Sequence, residues 1–190
     1  MDDQALIAFW HAHFDRPEHS ARERSKRWLN LDMQTRGDLT QAFDATAPAI
    51  TEPEPCADPI STLAEVIRLD HVRRNLLAKT PEAYSGHHVT PILAGAALDA
   101  GTDEALQPIE RLVLCFSFSL GEDLDTHDRG LDYLRKRQHL EQAQDFLEWA
   151  EKRREIIRQF GRFPVRNRPL GRASTPTEAY FVVGTGSDYS

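Results

Sequence analysis

The sequence predicts an all-α protein of antiparallel helices, with a long arginine-rich loop near its C-terminus. Three observations lead to this prediction. Apolar residues recur at helical spacing through most of the chain, whereas the alternating pattern of strands is scarce. Prolines and glycines stand where the helical segments begin and end. The stretch FGRFPVRNRPLGRAST, residues 160–175, holds four arginines and no acidic residue.

The first part of the chain carries modest helical signals. Residues 4–14 predict a short opening helix, and residues 38–47 predict a second one. Residues 16–30 are strongly charged, with Trp28 as an expected anchor. The stretch ATAPAITEPEPCADP, residues 45–59, holds four prolines. Such a segment cannot continue a helix, so we expect an extended connection there.

Helix signals strengthen from Asp58, which precedes a proline in the order expected of a helix cap and first residue. The helix that begins at Pro108 is apolar on almost every side, so we expect it at the centre of the core. Thr175 and Glu178 have the spacing of a capping box. The predicted helices of this part cover residues 59–67 and beyond, 90–100, 108–120, 122–139, 141–160 and 176–183, followed by a loose tail at 184–190.

Composition predicts one globular domain spanning residues 1–190, with 40% hydrophobic and 28% charged residues. The start, MDDQALIAFWHAHF, lacks the basic and apolar regions of a signal peptide. The longest apolar run, LVLCF, is too short to cross a bilayer. Cys56 and Cys115 are isolated, so no disulfide framework is expected. We therefore expect a soluble, cytoplasmic protein without a membrane partner.

The charge is unevenly distributed. Residues 1–150 hold 15 basic and 26 acidic residues, whereas residues 151–190 hold 8 basic and 4 acidic ones. The simplest use of this asymmetry is internal, with the basic segment folded back on the acidic body. A nucleic-acid partner is not expected, because a protein of net charge −7 with one short basic segment attracts phosphate backbones poorly.

Charged residues interrupt the predicted apolar helix faces at three places. Asp70 and Arg74 continue the face that begins at residue 60, and Glu122 and Asp123 follow the central helix. Arg153 falls in the middle of the apolar face of a later helix. A charge on a core face is expensive unless it is paired. We therefore expect these residues to meet the arginines of residues 160–175 in one polar cluster.

Two interpretations of this cluster remain open. In a purely structural network, Arg162 and Arg166 neutralise Asp70, Glu122 and Asp123 and hold the C-terminal loop in place. In a ligand pocket, some arginine donors stay available for a carboxylate or phosphate, which suits the planar fork of a guanidinium group.

Several strings resemble the signature blocks of the bacterial family catalogued as domain of unknown function 924. They are AFW, LDHVRRN, AGTDEALQPIERLVL, FSFSLGEDL and FGRFPVRNRPLGRASTPTE. The resemblance implies an all-helical, tetratricopeptide-like superhelix, and it implies no activity, because the family is named for lacking an assigned one. The polar signature positions that carry over to this chain imply a site made of Asp70, Arg74, Asn75, Glu122, Arg162, Arg166, Asn167 and Arg172.

The chain departs from that family at three histidine positions, which are held here by Leu120, Arg153 and Val165. The resemblance implies that any chemistry performed through those imidazoles would be lost in this member. Anion binding by the retained arginines would not be lost.

The sequence offers little support for a metal or a cofactor. Residues 11 and 13 are histidines two apart, and residues 87 and 88 are neighbours, so neither pair converges on one helix face. His71 and His127 are expected to be surface or capping residues. No metal, cofactor or nucleophilic motif is therefore predicted.

The function predicted from the sequence is a non-catalytic binding module for a small anion or a peptide carboxylate. One alternative is a hydrolase-like enzyme with Asp70 or Glu122 as general base, which requires a carboxylate whose pKa is raised by burial. Nearby arginines act in the opposite direction. Another alternative is a protein-interaction adaptor whose ion pairs are only structural, which predicts a contiguous exposed apolar groove.

Overall fold

The computed structural model describes residues 2–13, 33–43 and 58–185, and every regular element in these ranges is helical. The all-α prediction is confirmed for this part of the chain, while the tetratricopeptide-like arrangement stays a prediction. The predicted anchor Trp28 and the connection at residues 45–57 lie outside the described residues. The helices are α1 (Asp3–His13), α2 (Met33–Ala42), α3 (Pro59–Ile67, continued by Arg68–Val72 and Arg73–Leu76), α4 (Thr90–Ala100), α5 (Pro108–Phe116), α6 (Leu124–Lys136), α7 (Ala143–Phe160) and α8 (Pro176–Thr185).

Helix α3 contains a widened turn. Its start is as predicted: Asp58 caps the helix by accepting from the backbone N–H of Ser61 at 3.0 Å. Residues 68–72 then form a π turn, which the N–H of Arg73 closes by bonding to the carbonyl of Arg68, five residues earlier. Such turns are rare and occur often at functional sites. As a result four consecutive side chains, residues 69–72, are buried.

Helix α5 is the centre of the core, as its sequence predicts. Leu112, Leu114 and Cys115 are each 0% exposed, and Val113 is 2% exposed. Burying a leucine contributes about 1.5–3 kcal/mol to folding, so this short helix supplies a large share of the core energy. Cys115 behaves as a small core residue, since burial raises the pKa of its thiol to about 12. Helices α3, α4, α6 and α7 all pack against α5.

Two helix boundaries near the site differ from the prediction. Helix α5 ends at Phe116 and not at residue 120. The helix predicted from residue 122 begins at Leu124, because the side chain of Asp123 accepts from the N–H of Thr126 at 2.8 Å and caps it. Glu122 therefore precedes the helix, and its side chain is available for other contacts. The preceding 3-10 turn covers Ser117–Ser119.

The C-terminal loop joins α7 to α8. Helix α7 stops at Gly161, whose φ of 68° lies in the left-handed region that glycine adopts without strain. A 3-10 turn follows at Pro164–Arg166. The predicted capping box at the start of α8 is confirmed: the N–H of Thr175 donates to Glu178 at 2.7 Å, and the N–H of Glu178 donates back to the Thr175 hydroxyl at 3.2 Å.

None of the helices in the described ranges is both long and apolar enough to span a bilayer.

A glycine in α6 permits close packing onto the turn after α5. A Cβ atom added at Gly130 would lie 2.5 Å from Cβ of Phe118. We expect Gly130→Ala to lower the free energy of unfolding by about 1–3 kcal/mol, since overpacking outweighs the better helix propensity of alanine. Urea unfolding followed by circular dichroism measures the change. Gly37→Ala in α2 is the matched control, because nothing lies within 4 Å of its added Cβ; equal stability of the two variants would contradict the prediction.

Candidate functional site

The candidate site forms around three consecutive backbone carbonyls, those of residues 119, 120 and 121, just after α5. Each accepts a hydrogen bond from a buried side chain. Arg153 Nε donates to the first at 2.8 Å, Arg166 Nη1 to the second at 2.8 Å, and His127 Nε2 to the third at 3.0 Å. These carbonyls lie beyond the last helical bonds and need such partners. They therefore fix α6, α7 and the C-terminal loop to one short segment.

Arg166 lies deepest among the arginines of this segment and is 2% exposed. Its guanidinium carbon lies 4.9 Å from the centre of the Tyr84 ring and 4.2 Å from that of Phe163. At such distances a cation is attracted to the ring face. Its Nε and Nη2 have no hydrogen-bond partner among the described residues. Burial lowers the pKa of Arg166 to about 10, so the group is still charged at neutral pH.

Asp70 belongs to the π turn of α3 and is 2% exposed. Its Oδ1 lies 3.1 Å from Arg74 Nε and 3.1 Å from His87 Nε2. Burial alone would raise the pKa of Asp70, but Arg74 and His87 outweigh burial and hold that pKa well below its usual value. This His87 contact is a close approach without hydrogen-bond geometry, because Nε2 of His87 has no hydrogen-bond partner among the described residues. A cavity of about 10 Å³ beside Asp70 is the size of one water molecule.

Glu122 connects the C-terminal loop to the segment before α6. Arg172 binds it with two hydrogen bonds, Nη1 to Oε2 at 2.6 Å and Nη2 to Oε1 at 3.0 Å. The backbone N–H of Phe163 also donates to Oε1 at 2.8 Å. Burial opposes ionisation of Glu122, but these bonds prevail and lower its pKa. A bidentate pair of this kind is among the strongest polar contacts in proteins.

Three neutral histidines complete the surroundings. His71, His87 and His127 are between 1% and 3% exposed, and burial lowers their pKa values to about 3, 4 and 4. The charge of Arg166 contributes to the low pKa of both His87 and His127. In turn Glu122 and Asp70 both favour the charged form of Arg166. Asp70 and Glu122 thus both interact electrostatically with Arg166.

The two asparagines of the predicted site have different roles. Asn75 binds the backbone of its own helix, α3, where its Nδ2 donates to the carbonyl of His71 at 2.7 Å. Asn167 follows Arg166 directly and is 1% exposed. Its Nδ2 donates to the Ser174 hydroxyl at 3.0 Å, while its Oδ1 has no partner among the described residues. Asn167 and Arg172, whose Nε likewise has no partner among the described residues, are therefore further site residues with an unused polar atom.

Arg162 lies apart from the site. It makes a bidentate pair with Glu178 at the start of α8, with Nε to Oε1 at 2.6 Å and Nη2 to Oε2 at 2.9 Å. Hydrogen bonding from Arg162 lowers the pKa of Glu178 to about 2. This pair closes the loop between α7 and α8 without contact to the earlier helices.

The ion pairs expected from the sequence were wrong in detail. Arg162 and Arg166 do not neutralise Asp70, Glu122 and Asp123. The reason is that Asp123 is used as a helix cap, and closer arginines pair with the other two acids. The pairs formed are Asp70 with Arg74, Glu122 with Arg172, and Glu178 with Arg162.

Of the eight predicted site residues, five lie around the buried Arg166 or contact its neighbours, while Arg162 and Asn75 have local structural roles. Sequence reasoning missed Tyr84, Phe163 and the burial of His71, His87 and His127. His71 and His127 were expected to be surface or capping residues; the surface position was wrong for both, since each is 1% exposed, whereas His127 does bind a backbone carbonyl before α6. One signal was present: Phe163 and Arg166 are three apart in a proline-led turn, a spacing that places both side chains on one face of a 3-10 helix.

A family model described as "Bacterial protein of unknown function (DUF924)" matches residues 6–186. The chain belongs to this family. The resemblance read from the sequence blocks is thereby confirmed. Within the described ranges, this DUF924 member has no group of three or more histidine, cysteine or acidic side chains placed to hold a metal ion.

The fold of this DUF924 member also occurs in a solved structure from Agrobacterium tumefaciens. That structure, of the protein of unknown function ATU0120, is 23% identical in sequence and superimposes with a TM-score of 0.66. The match covers 95% of this chain and 96% of the other. At this identity the likeness shows the fold alone. No curated protein matches this DUF924 member.

Proposed function

We propose that this protein binds a small oxyanion, a phosphate or carboxylate group, at Arg166. One observation carries the proposal: Arg166 is buried, charged, and leaves both Nε and Nη2 without a hydrogen-bond partner among the described residues. Arg74 and Arg172 each contact a carboxylate, whereas no carboxylate of the described ranges pairs with Arg166. Uncompensated buried cations are costly, so a bound anion would stabilise this arrangement.

The two unused donors suit an oxyanion in geometry as well as charge. Nε–H and Nη2–H point from the same edge of the guanidinium plane, parallel to each other. That edge matches two oxygens of one carboxylate or phosphate group, as Arg162 illustrates by binding Glu178 through Nε and Nη2. The nearby Tyr84 and Phe163 rings favour the charged guanidinium at this position. An entering anion therefore meets preorganised donors.

A ligand would reach Arg166 past the ring of Tyr84. Phe163 is 0% exposed and lies in the second apolar cluster, with Ile156 and Ile157. Tyr84 is only half-buried and belongs to the short 3-10 turn Pro81–Tyr84. Displacement of this ring would open the surroundings of Arg166 without disturbing that apolar cluster.

The alternative functions have weaker support. General base catalysis by Asp70 or Glu122 requires a raised pKa, but arginine contacts lower the pKa of both groups. The adaptor alternative requires an apolar groove. A concave surface of about 540 Å³ between α7 and α8 has Ile156 and Phe181 in its lining, but its other lining side chains are charged or polar, so the adaptor function stays a prediction.

Thermal unfolding in the presence of anions tests the proposal. Inorganic phosphate, acetate, citrate and nucleotides are compared with chloride at equal ionic strength. At a concentration of one hundred times Kd, a ligand adds about 2.7 kcal/mol of stability and raises Tm by about 5–10 °C. We expect a shift of this kind for at least one oxyanion, because bound ligand compensates the charge of Arg166.

Two variants and a control locate the effect. Arg166→Lys retains the charge and loses the planar fork, so the shift is expected to fall sharply. Asn167→Asp is close in size and adds a negative charge at the residue next to Arg166 in the chain, which should raise Tm without ligand and weaken the anion-dependent shift. Arg168→Ala is the control, because Arg168 is exposed and makes no contact in the site. The proposal is wrong when no oxyanion exceeds chloride, or when Asn167→Asp retains the full shift.

A further inference from the structure

A basic surface pocket lies at the opposite end of α5 from the carbonyls that Arg166 and its neighbours bind. Its volume is about 510 Å³, within the range of small-molecule sites. It is lined by Glu104, Arg111, Lys136, Arg137 and His139. We propose that this pocket binds a phosphorylated polyol, such as a sugar phosphate, independently of the Arg166 site.

A buried carboxylate holds the two arginines of the pocket in place. Asp103 is 0% exposed, and its Oδ2 accepts from Arg111 Nε at 3.1 Å and from Arg137 Nε at 2.9 Å, while Arg137 Nη2 lies 2.8 Å away. Both arginines thus converge on one oxygen. Within the described ranges the terminal nitrogens of Arg111 have no protein partner, and its side chain is 18% exposed. One acid therefore orients two cations and compensates only one of them.

The charges around the pocket favour a small dianion. Arg111, Lys136 and Arg137 supply three positive charges against Asp103 and Glu104, in a protein whose net charge is −7. That net charge disfavours long polyanions such as nucleic acid. The lining contains no phenylalanine, tyrosine or tryptophan ring on which a base could stack, and its one ring is the small imidazole of His139. The phosphate is therefore expected to be carried by a non-aromatic group.

Glu104 supplies the feature that distinguishes a polyol ester from free phosphate. It is the acidic residue of the lining, and it is exposed. A carboxylate accepts hydrogen bonds from hydroxyl groups and repels phosphate. A ligand with its phosphate on the arginines and its hydroxyls toward Glu104 would satisfy both parts of the pocket.

The helix-capping role of Arg137 does not account for the whole pocket. Its Nη1 donates to the carbonyl of Tyr133 at 3.4 Å at the end of α6, where basic residues stabilise helices. Arg111, however, belongs to the first half of α5, and no such role explains its position. The convergence of both arginines with Lys136 on one concave surface is the additional observation.

Calorimetric titration of the full chain with glucose 6-phosphate, glucose and inorganic phosphate tests this proposal. We expect glucose 6-phosphate to bind more tightly than phosphate, and glucose not to bind. Lys136→Glu should raise the Kd for glucose 6-phosphate at least about tenfold, because a charged contact is replaced by repulsion. Arg135→Glu is the matched control, since the neighbouring Arg135 is exposed, pairs with Asp132 and does not line the pocket.

The outcomes separate this site from the one at Arg166. Asn167→Asp should leave the Kd for glucose 6-phosphate unchanged, which keeps failure of one proposal distinct from failure of the other. Equal Kd values for wild type and Lys136→Glu overturn the pocket. Equal affinity for phosphate and glucose 6-phosphate overturns the polyol assignment. If Arg135→Glu weakens the binding of glucose 6-phosphate as much as Lys136→Glu does, the effect comes from the overall surface charge, and the pocket is again overturned.

Discussion

Acidification from pH 7 to pH 5 is expected to destabilise the protein strongly, because His71, His87 and His127 are buried without charge. Their pKa values in the folded protein are about 3, 4 and 4, against about 6.5 in an unfolded chain. Between these values the unfolded chain binds more protons than the folded one, so stability is complete above pH 6.5 and is lost as the pH falls. Each histidine is expected to remove about 2 kcal/mol by pH 5.

Urea unfolding at a series of pH values measures this loss. Asp70 and Glu122 do not titrate in the same window, because their pKa values are lowered. His127→Gln retains a donor for the carbonyl that His127 binds and should reduce the pH dependence by about one third, since one of three titrating groups is removed. His88→Gln is the control at an exposed position. A stability that stays constant from pH 7 to pH 5 contradicts the burial of these groups.

Asp70→Ala is expected to lower the free energy of unfolding by about 3–5 kcal/mol, the effect typical of breaking a buried ion pair. The substitution removes the carboxylate that Arg74 and His87 contact in the π turn. Chemical denaturation at neutral pH measures the change. Asp132→Ala removes the same charge from an exposed pair with Arg135, where less than about 1 kcal/mol is expected. Similar effects of the two substitutions would show that the Asp70 pair contributes little.

Much of the fold followed from local chemistry that the sequence displays. The cap at Asp58, the helix at residues 90–100 and the capping box at Thr175 depend on short-range features, and each lies where the sequence predicted it. The central position of α5 followed from its own sequence, which is apolar on almost every side of the helix. Charged residues on apolar faces likewise indicated that Asp70 and Glu122 belong to a polar cluster.

The partners within the cluster could not be predicted, because they depend on distances between segments far apart in the chain. Glu122 and Arg172 are fifty positions apart. Asp70 is turned toward His87 by a π turn that no residue pattern announces. Neutral buried histidines also escape sequence reasoning, since an imidazole suits a surface and a core equally well, depending on whether it is charged.

The most direct test of the central claim, that Arg166 is a buried cation with donors available to an oxyanion, is nuclear magnetic resonance of the arginine Nε–H groups during a phosphate titration. The Arg166 signal is assigned by its absence in Arg166→Lys. We expect one arginine Nε–H signal, that of Arg166, to shift on addition of phosphate at the concentrations that raise Tm, while the Arg172 signal stays in place. The account is contradicted when the Arg166 signal does not move on addition of phosphate although phosphate still raises Tm.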